Sequence, residues 1–208
     1  MICAARSIYA RISIECGMIE WKLKRTALRW DFSFFAVLAV FFWLDRSGFG
    51  LTALGICAAH ELAHLAVMQL FGIVPESVTF YGAGIRISAA ETERRSPSVQ
   101  AAVYSAGCVM NFLLAAALHP AGYQNAAAVS AVTGLFNLLP VGEFDGKRLL
   151  KLFLVSHIRP ERVDAALRIS GIISAVICAA AALLSGSAAS PTLLVTMGYI
   201  LLMSLRRV

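Results

Sequence analysis

The stretch GFGLTALGICAAHELAHLAVMQLF, Gly48–Phe71, is long and apolar enough to cross a bilayer as a helix, yet it carries His60, Glu61 and His64. Ionisable side chains in hydrocarbon are costly and mark functional sites by default. Residues four apart on a helix share one face a turn apart, so both imidazoles can reach one metal ion while Glu61 stands beside an open coordination position. Two histidines at this spacing could also line a polar seam between helices. The third ionisable group favours a metal, and the pattern is that of a hydrolytic zinc site.

The rest of the composition agrees with a membrane setting. Of the 208 residues 59% are hydrophobic and 14% charged, and the mean hydropathy is +0.76, values far from those of a water-soluble domain. The five cysteines, Cys3, Cys16, Cys57, Cys108 and Cys178, show no paired spacing and read as reduced packing residues, with Cys57 placed on the His60 and His64 face by its spacing. A net charge of +6 does not indicate nucleic acid, because the basic residues cluster between apolar runs without interleaved aromatics.

Six apolar stretches, about 30–44, 48–71, 99–118, 124–140, 168–185 and 189–205, predict an all-α polytopic membrane protein of six transmembrane helices. Of the 18 Lys and Arg, only Arg46 falls in the three short loops that join these spans in pairs. The positive-inside rule then places both termini in the cytoplasm. Residues 1–29 read as a cytoplasmic segment of weak helical periodicity without a signal-peptide cleavage site, and Met18 offers a second start.

Between the second and third spans, Val78–Ser88 mixes β-branched and aromatic residues with Gly82 and Gly84, which predicts a short hairpin able to pair with an extended substrate. Asn111 in the third span calls for an interhelical hydrogen bond. The fourth span ends in Asn137-Leu138-Leu139-Pro140-Val141-Gly142-Glu143-Phe144-Asp145-Gly146, where Pro140 and Gly142 break the helix. Asp145 is the preferred third metal ligand because Gly146 permits a sharp turn, and Glu143 is its rival. His119 and His157 lack ligand spacing.

Together His60-Glu61-Leu62-Ala63-His64 and the Asn137, Pro140, Asp145, Gly146 set resemble the two motifs of the intramembrane site-2 metalloprotease family, over roughly residues 30–155. The six-span plan looks most like the stage IV sporulation protein FB branch. The resemblance implies one Zn2+ per chain held by His60, His64 and Asp145, Glu61 as catalytic acid/base, and Asn137 as a substrate contact. It also implies a catalytic core at 30–155 and a two-span hairpin at 156–208. Partners would be a membrane protein or membrane-anchored substrate, the lipid bilayer of a bacterial cell, and a membrane inhibitor or activator. Cys108 stands where many relatives have proline, Gly142-Glu143-Phe144 replaces prolines and aliphatics, and Lys147 replaces a glycine. A non-catalytic pseudoprotease or metal-handling protein is the rival reading, and Glu61 argues against it, since holding a metal needs no carboxylate between the histidines.

Overall fold

The computed structural model describes residues 11–15, 18–45, 48–82 and 84–184. In chain order these form β1 (Arg11–Glu15), β2 (Met18–Leu23), β3 (Thr26–Asp31), α1 (Phe32–Leu44), α2 (Phe49–Leu70), β4 (Ser77–Tyr81), β5 (Gly84–Ser88), α3 (Ala90–Glu93), α4 (Pro97–Leu118), α5 (Gln124–Asn137), α6 (Asp145–His157) and α7 (Pro160–Leu184). Two compact units divide between Val99 and Gln100.

In the first unit the strands form one sheet in the order β1-β2-β3-β4-β5, parallel only between β3 and β4. The expected hairpin is present, with Ser77 opposite Ser88 and Tyr81 opposite Gly84. The register sorts side chains by face. Ile19 lies opposite Trp30 and Trp21 opposite Leu28, while Glu20 lies opposite Arg29 on the other face, where Arg29 Nε donates to its carboxylate at 2.9 Å. Trp30 and Phe80 stack with ring centroids 5.6 Å apart, and Phe34 of α1 packs on Phe80 at 5.5 Å.

Residues 18–31 correct the expectation of a loosely helical N-terminal segment. Ile19-Glu20-Trp21-Lys22-Leu23 alternates with period two, the strand signature, and Trp30 belongs to β3 rather than flanking a span. Helix α1 starts where Asp31 caps it, its carboxylate accepting from the Ser33 N–H and hydroxyl. The Ser33 hydroxyl in turn accepts from the Gly82 N–H at 2.9 Å, and a Cβ at Gly82 would crowd Val37 and Ser33 at 3.1 and 3.2 Å, so the hairpin turn sits directly on α1.

Helix α2 rises about 33 Å, enough to cross the hydrocarbon. Its first turn receives the Asp45 carboxylate at the Gly50 N–H. It stops in a Schellman motif: Gly72 at φ +67 donates to Gln69, and Ile73 donates to Met68.

In the second unit α4 and α5 approach closely at Gly134, where a Cβ would meet Asn111 and the Phe112 ring at 3.2 and 3.3 Å. The Ser130 hydroxyl donates to the Asn111 carbonyl at 2.8 Å, which supplies an interhelical bond at the expected position, here through the main chain. Val141, Ala175, Phe136, Leu139 and Phe144 pack into a small core around the broken segment.

Among the described residues three helices are long and apolar enough to cross a membrane: Phe49–Leu70, Pro97–Leu118 and Pro160–Ala180. Their polarity is inverted, with large apolar side chains such as Leu62, Leu70 and Leu113 exposed while His60, His64 and Asn111 are buried. This is a mostly helical membrane protein with a small sheet. The stretches expected as first and fourth spans yield α1 and α5, of 13 and 14 residues, each rising only about 20 Å. The expected sixth span, 189–205, lies outside the described residues.

Candidate metal centre

Helix α2 buries one stripe, Ile56, His60, Ala63, His64 and Met68, spaced three or four apart as helical geometry requires. The imidazoles of His60 and His64 therefore leave the same face one turn apart, with Nε2 atoms 3.2 Å apart and rings at 74°. Glu61 between them is half-buried. Cys57, one turn before His60, is exposed, whereas Ile56 is buried with the histidines.

In the second unit α5 ends at Asn137, whose side-chain amide donates to the Thr133 carbonyl at 3.1 Å. The chain then turns tightly: Val141 N–H bonds to Leu139, Phe144 N–H to Val141, and Gly142 takes φ +54. Asp145 opens α6 as the acid of its first turn and is buried together with Gly146. Gly146 serves a different purpose from the one expected. It is Gly142 that takes the left-handed turn, whereas Gly146 lies against the Leu138 carbonyl, where any Cβ would overlap backbone.

Glu143, the rival to Asp145, is exposed and lies 4.0 Å from Arg148, whose guanidinium also sits over the Tyr104 ring at 5.8 Å. A carboxylate in water opposite an arginine is a poor ligand candidate. Two residues that the sequence did not single out for the site thus bear on it. Arg148 engages Glu143 in the break, and Cys108, buried on α4, donates its thiol to Asp145 Oδ2 at 3.8 Å. Cys108 and Asp145 are 37 positions apart, so no local spacing could reveal the contact. His119 and His157 are exposed, the latter stacked on Phe153 at 4.1 Å.

His60, His64 and Asp145 are all of metal-ligating type and all buried. The donor chemistry fits zinc, which takes imidazole nitrogen and carboxylate oxygen. The histidine pair fits in geometry as well. Two nitrogens at tetrahedral positions, each about 2.05 Å from zinc, would lie about 3.3 Å apart, and the two Nε2 atoms are 3.2 Å apart.

No protein-family model matches the chain. Two curated proteins from two strains of Mycobacterium tuberculosis, both carrying the zinc metalloprotease name Rip3, are 34% identical to it over 131 residues. That match covers 56% of this chain, and the chain spans only 33% of their length. Among solved structures the site-2 protease from Methanocaldococcus jannaschii has the same fold, with a TM-score of 0.64, 17% identity, and coverage of 96% of this chain and 97% of that one.

Proposed function

We propose that the chain is a zinc-dependent intramembrane endopeptidase of the site-2 protease type, cutting a transmembrane or membrane-associated segment of another protein. The observation that carries this reading is the buried His60–His64 pair, 3.2 Å apart on one face of α2 with Glu61 between them. The shared fold and the Rip3 similarity support it.

In this reading His60, His64 and Asp145 hold one zinc ion, which when bound lowers the pKa of a water toward about 7 and polarises the scissile carbonyl. Glu61 takes the water proton and delivers it to the leaving amine nitrogen as the C–N bond breaks. A helical substrate hides its carbonyls, so it must unwind first. Strand β5, the outer strand among the described residues, offers its free edge to an added strand, and Asn137 contacts the substrate main chain.

We further propose a six-span topology with both termini cytoplasmic, a catalytic core at 30–155 followed by a two-span hairpin at 156–208, and a place in the stage IV sporulation protein FB branch. A bacterial membrane-anchored client and a membrane inhibitor or activator are the partners that this assignment brings.

The test is cleavage of a panel of membrane-anchored proteins by the purified chain, beside Glu61→Gln and a chelator, with zinc measured in each. Cleavage lost in Glu61→Gln while its zinc is kept is the expected result. Absence of zinc from both proteins would hand the site to the non-catalytic alternative.

A further inference from the structure

The sheet of the first unit has an apolar face that, among the described residues, is covered at one end only. At β4 that face meets α1, through Phe34 on Phe80. At β2 the cover stops, leaving Ile19, Trp21 and Leu23 at 38%, 39% and 51% exposure, while the alternating Glu20 and Lys22 point to the opposite face. An uncovered apolar row of this kind is unfavourable in water, at about 25 cal/mol for each Å².

Two observations identify what covers it. Strand β3 runs without a break into α1, whose Phe32 and Trp43 are 71% and 81% exposed, so the uncovered strand face is continuous with a helix surface suited to hydrocarbon. The turn that follows Leu23 presents Lys24, at φ +54, and Arg25, both exposed. An aromatic ring flanked by aliphatic side chains, with long cationic side chains at its edge, is the combination that settles at the boundary between headgroups and acyl chains.

We propose that the uncovered face of β2 is inserted into this boundary, with Trp21 as its anchor and Lys24 and Arg25 reaching the phosphates of anionic lipids. The sheet is then an in-plane membrane element that fixes the height of α1 in the bilayer. The proposal concerns lipid contact and stands apart from the proteolytic reading.

The chain has three tryptophans, Trp21, Trp30 and Trp43, so Trp30→Phe with Trp43→Phe leaves Trp21 as the only reporter. The full-length protein is placed in vesicles of phosphatidylcholine and phosphatidylglycerol, with bromine carried high or low on the acyl chains, or with iodide in the water. Insertion to about 5–10 Å predicts that high bromines remove roughly half of the Trp21 emission, more than low bromines or iodide do. The preference should rise with phosphatidylglycerol and fall in Lys24→Glu/Arg25→Glu. Stronger quenching by iodide would put the face in water and overturn the proposal. Protection from both quenchers would overturn it too, by showing a protein cover, either residues 1–10 or a second copy. Because Trp30 stacks on Phe80, the same comparison is made by subtracting Trp21→Phe from the otherwise native chain, which leaves that stack intact.

Discussion

The backbone of Gly146 lies against the carbonyl of Leu138 so closely that a Cβ would overlap both its oxygen and its carbon. This contact folds the start of α6 back on the end of α5 and thereby sets where Asp145, one residue earlier, emerges. Gly146→Ala must push that backbone apart, an overpacking cost of about 1–3 kcal/mol. The expected result is lower thermal stability together with reduced zinc content. Gly55→Ala is the control, since nothing lies within 4 Å of a Cβ there, and it should keep both. If Gly146→Ala loads zinc as well as wild type does, the contact is not what positions Asp145.

Two imidazoles 3.2 Å apart could share one proton without any metal, and chelation separates the two cases. A zinc ion bound a hundredfold above its dissociation constant adds about 2.7 kcal/mol to the folded state, worth roughly 5–10 °C in Tm. A chelator should therefore lower the Tm of wild type by that amount and leave His64→Ala unmoved. A wild-type Tm indifferent to chelation would mean a hydrogen-bonded histidine pair only.

The metal motif was legible because its signal is local: two histidines four apart on a helix must share a face, and α2 buries that face. Other features depended on contrasts that a reading by hydropathy alone averages away. In β2 the lysine and glutamate of the segment read as weakly helical are the outer half of a strand alternation. Helix α6 carries Lys147, Arg148 and Lys151 among its leucines, an amphipathic helix between two apolar stretches that a hydropathy average does not single out. The apolar stretch 30–44 takes its first two residues from the end of β3 and the rest from the 13-residue α1, a boundary that its hydropathy could not mark. Contacts such as Cys108 with Asp145 come only from the tertiary fold.

That thiol contact bears on a residue that relatives of the resembled family often replace with proline. A thiol is a weak donor, so its removal should be felt modestly, through orientation of the Asp145 carboxylate. Cys108→Ala is expected to weaken zinc affinity by roughly tenfold, while Cys108→Ser, which keeps a donor, recovers most of it. Competition with a chelating indicator reads this directly. Equal affinities in the two variants would leave the contact without an orienting role.

The pair of Glu20 and Arg29 gives a pH-dependent prediction. The Arg29 hydrogen bond, and after it Lys22, holds the Glu20 carboxyl below its ordinary value of 4.5. A depressed carboxylate contributes stability above that value and loses it as the pH falls through the folded-state value. Arg29→Met should therefore speed amide exchange in β2 and β3 at neutral pH. The difference from wild type should shrink as the pH falls from 4.5 through the folded-state value, and also in high salt. A difference independent of pH would assign the effect to packing of the arginine stem.

Asn137 offers the sharpest division between holding the metal and holding the substrate. Its amide nitrogen is tied to the Thr133 carbonyl at 3.1 Å in the last turn of α5, which fixes the side chain beside the break. If its carbonyl oxygen receives a main-chain N–H of the unwound substrate, Asn137→Ala removes one hydrogen bond and should lower kcat/KM by roughly ten- to a hundredfold. Zinc content should stay at the wild-type level, and the same variant should show no change in Tm on addition of zinc beyond that of wild type. Asn137→Asp keeps an acceptor at the same reach and should restore part of the lost rate. A variant that loses zinc along with activity would make Asn137 a support for the Asp145 segment, and the substrate would then have to be held by the β5 edge alone.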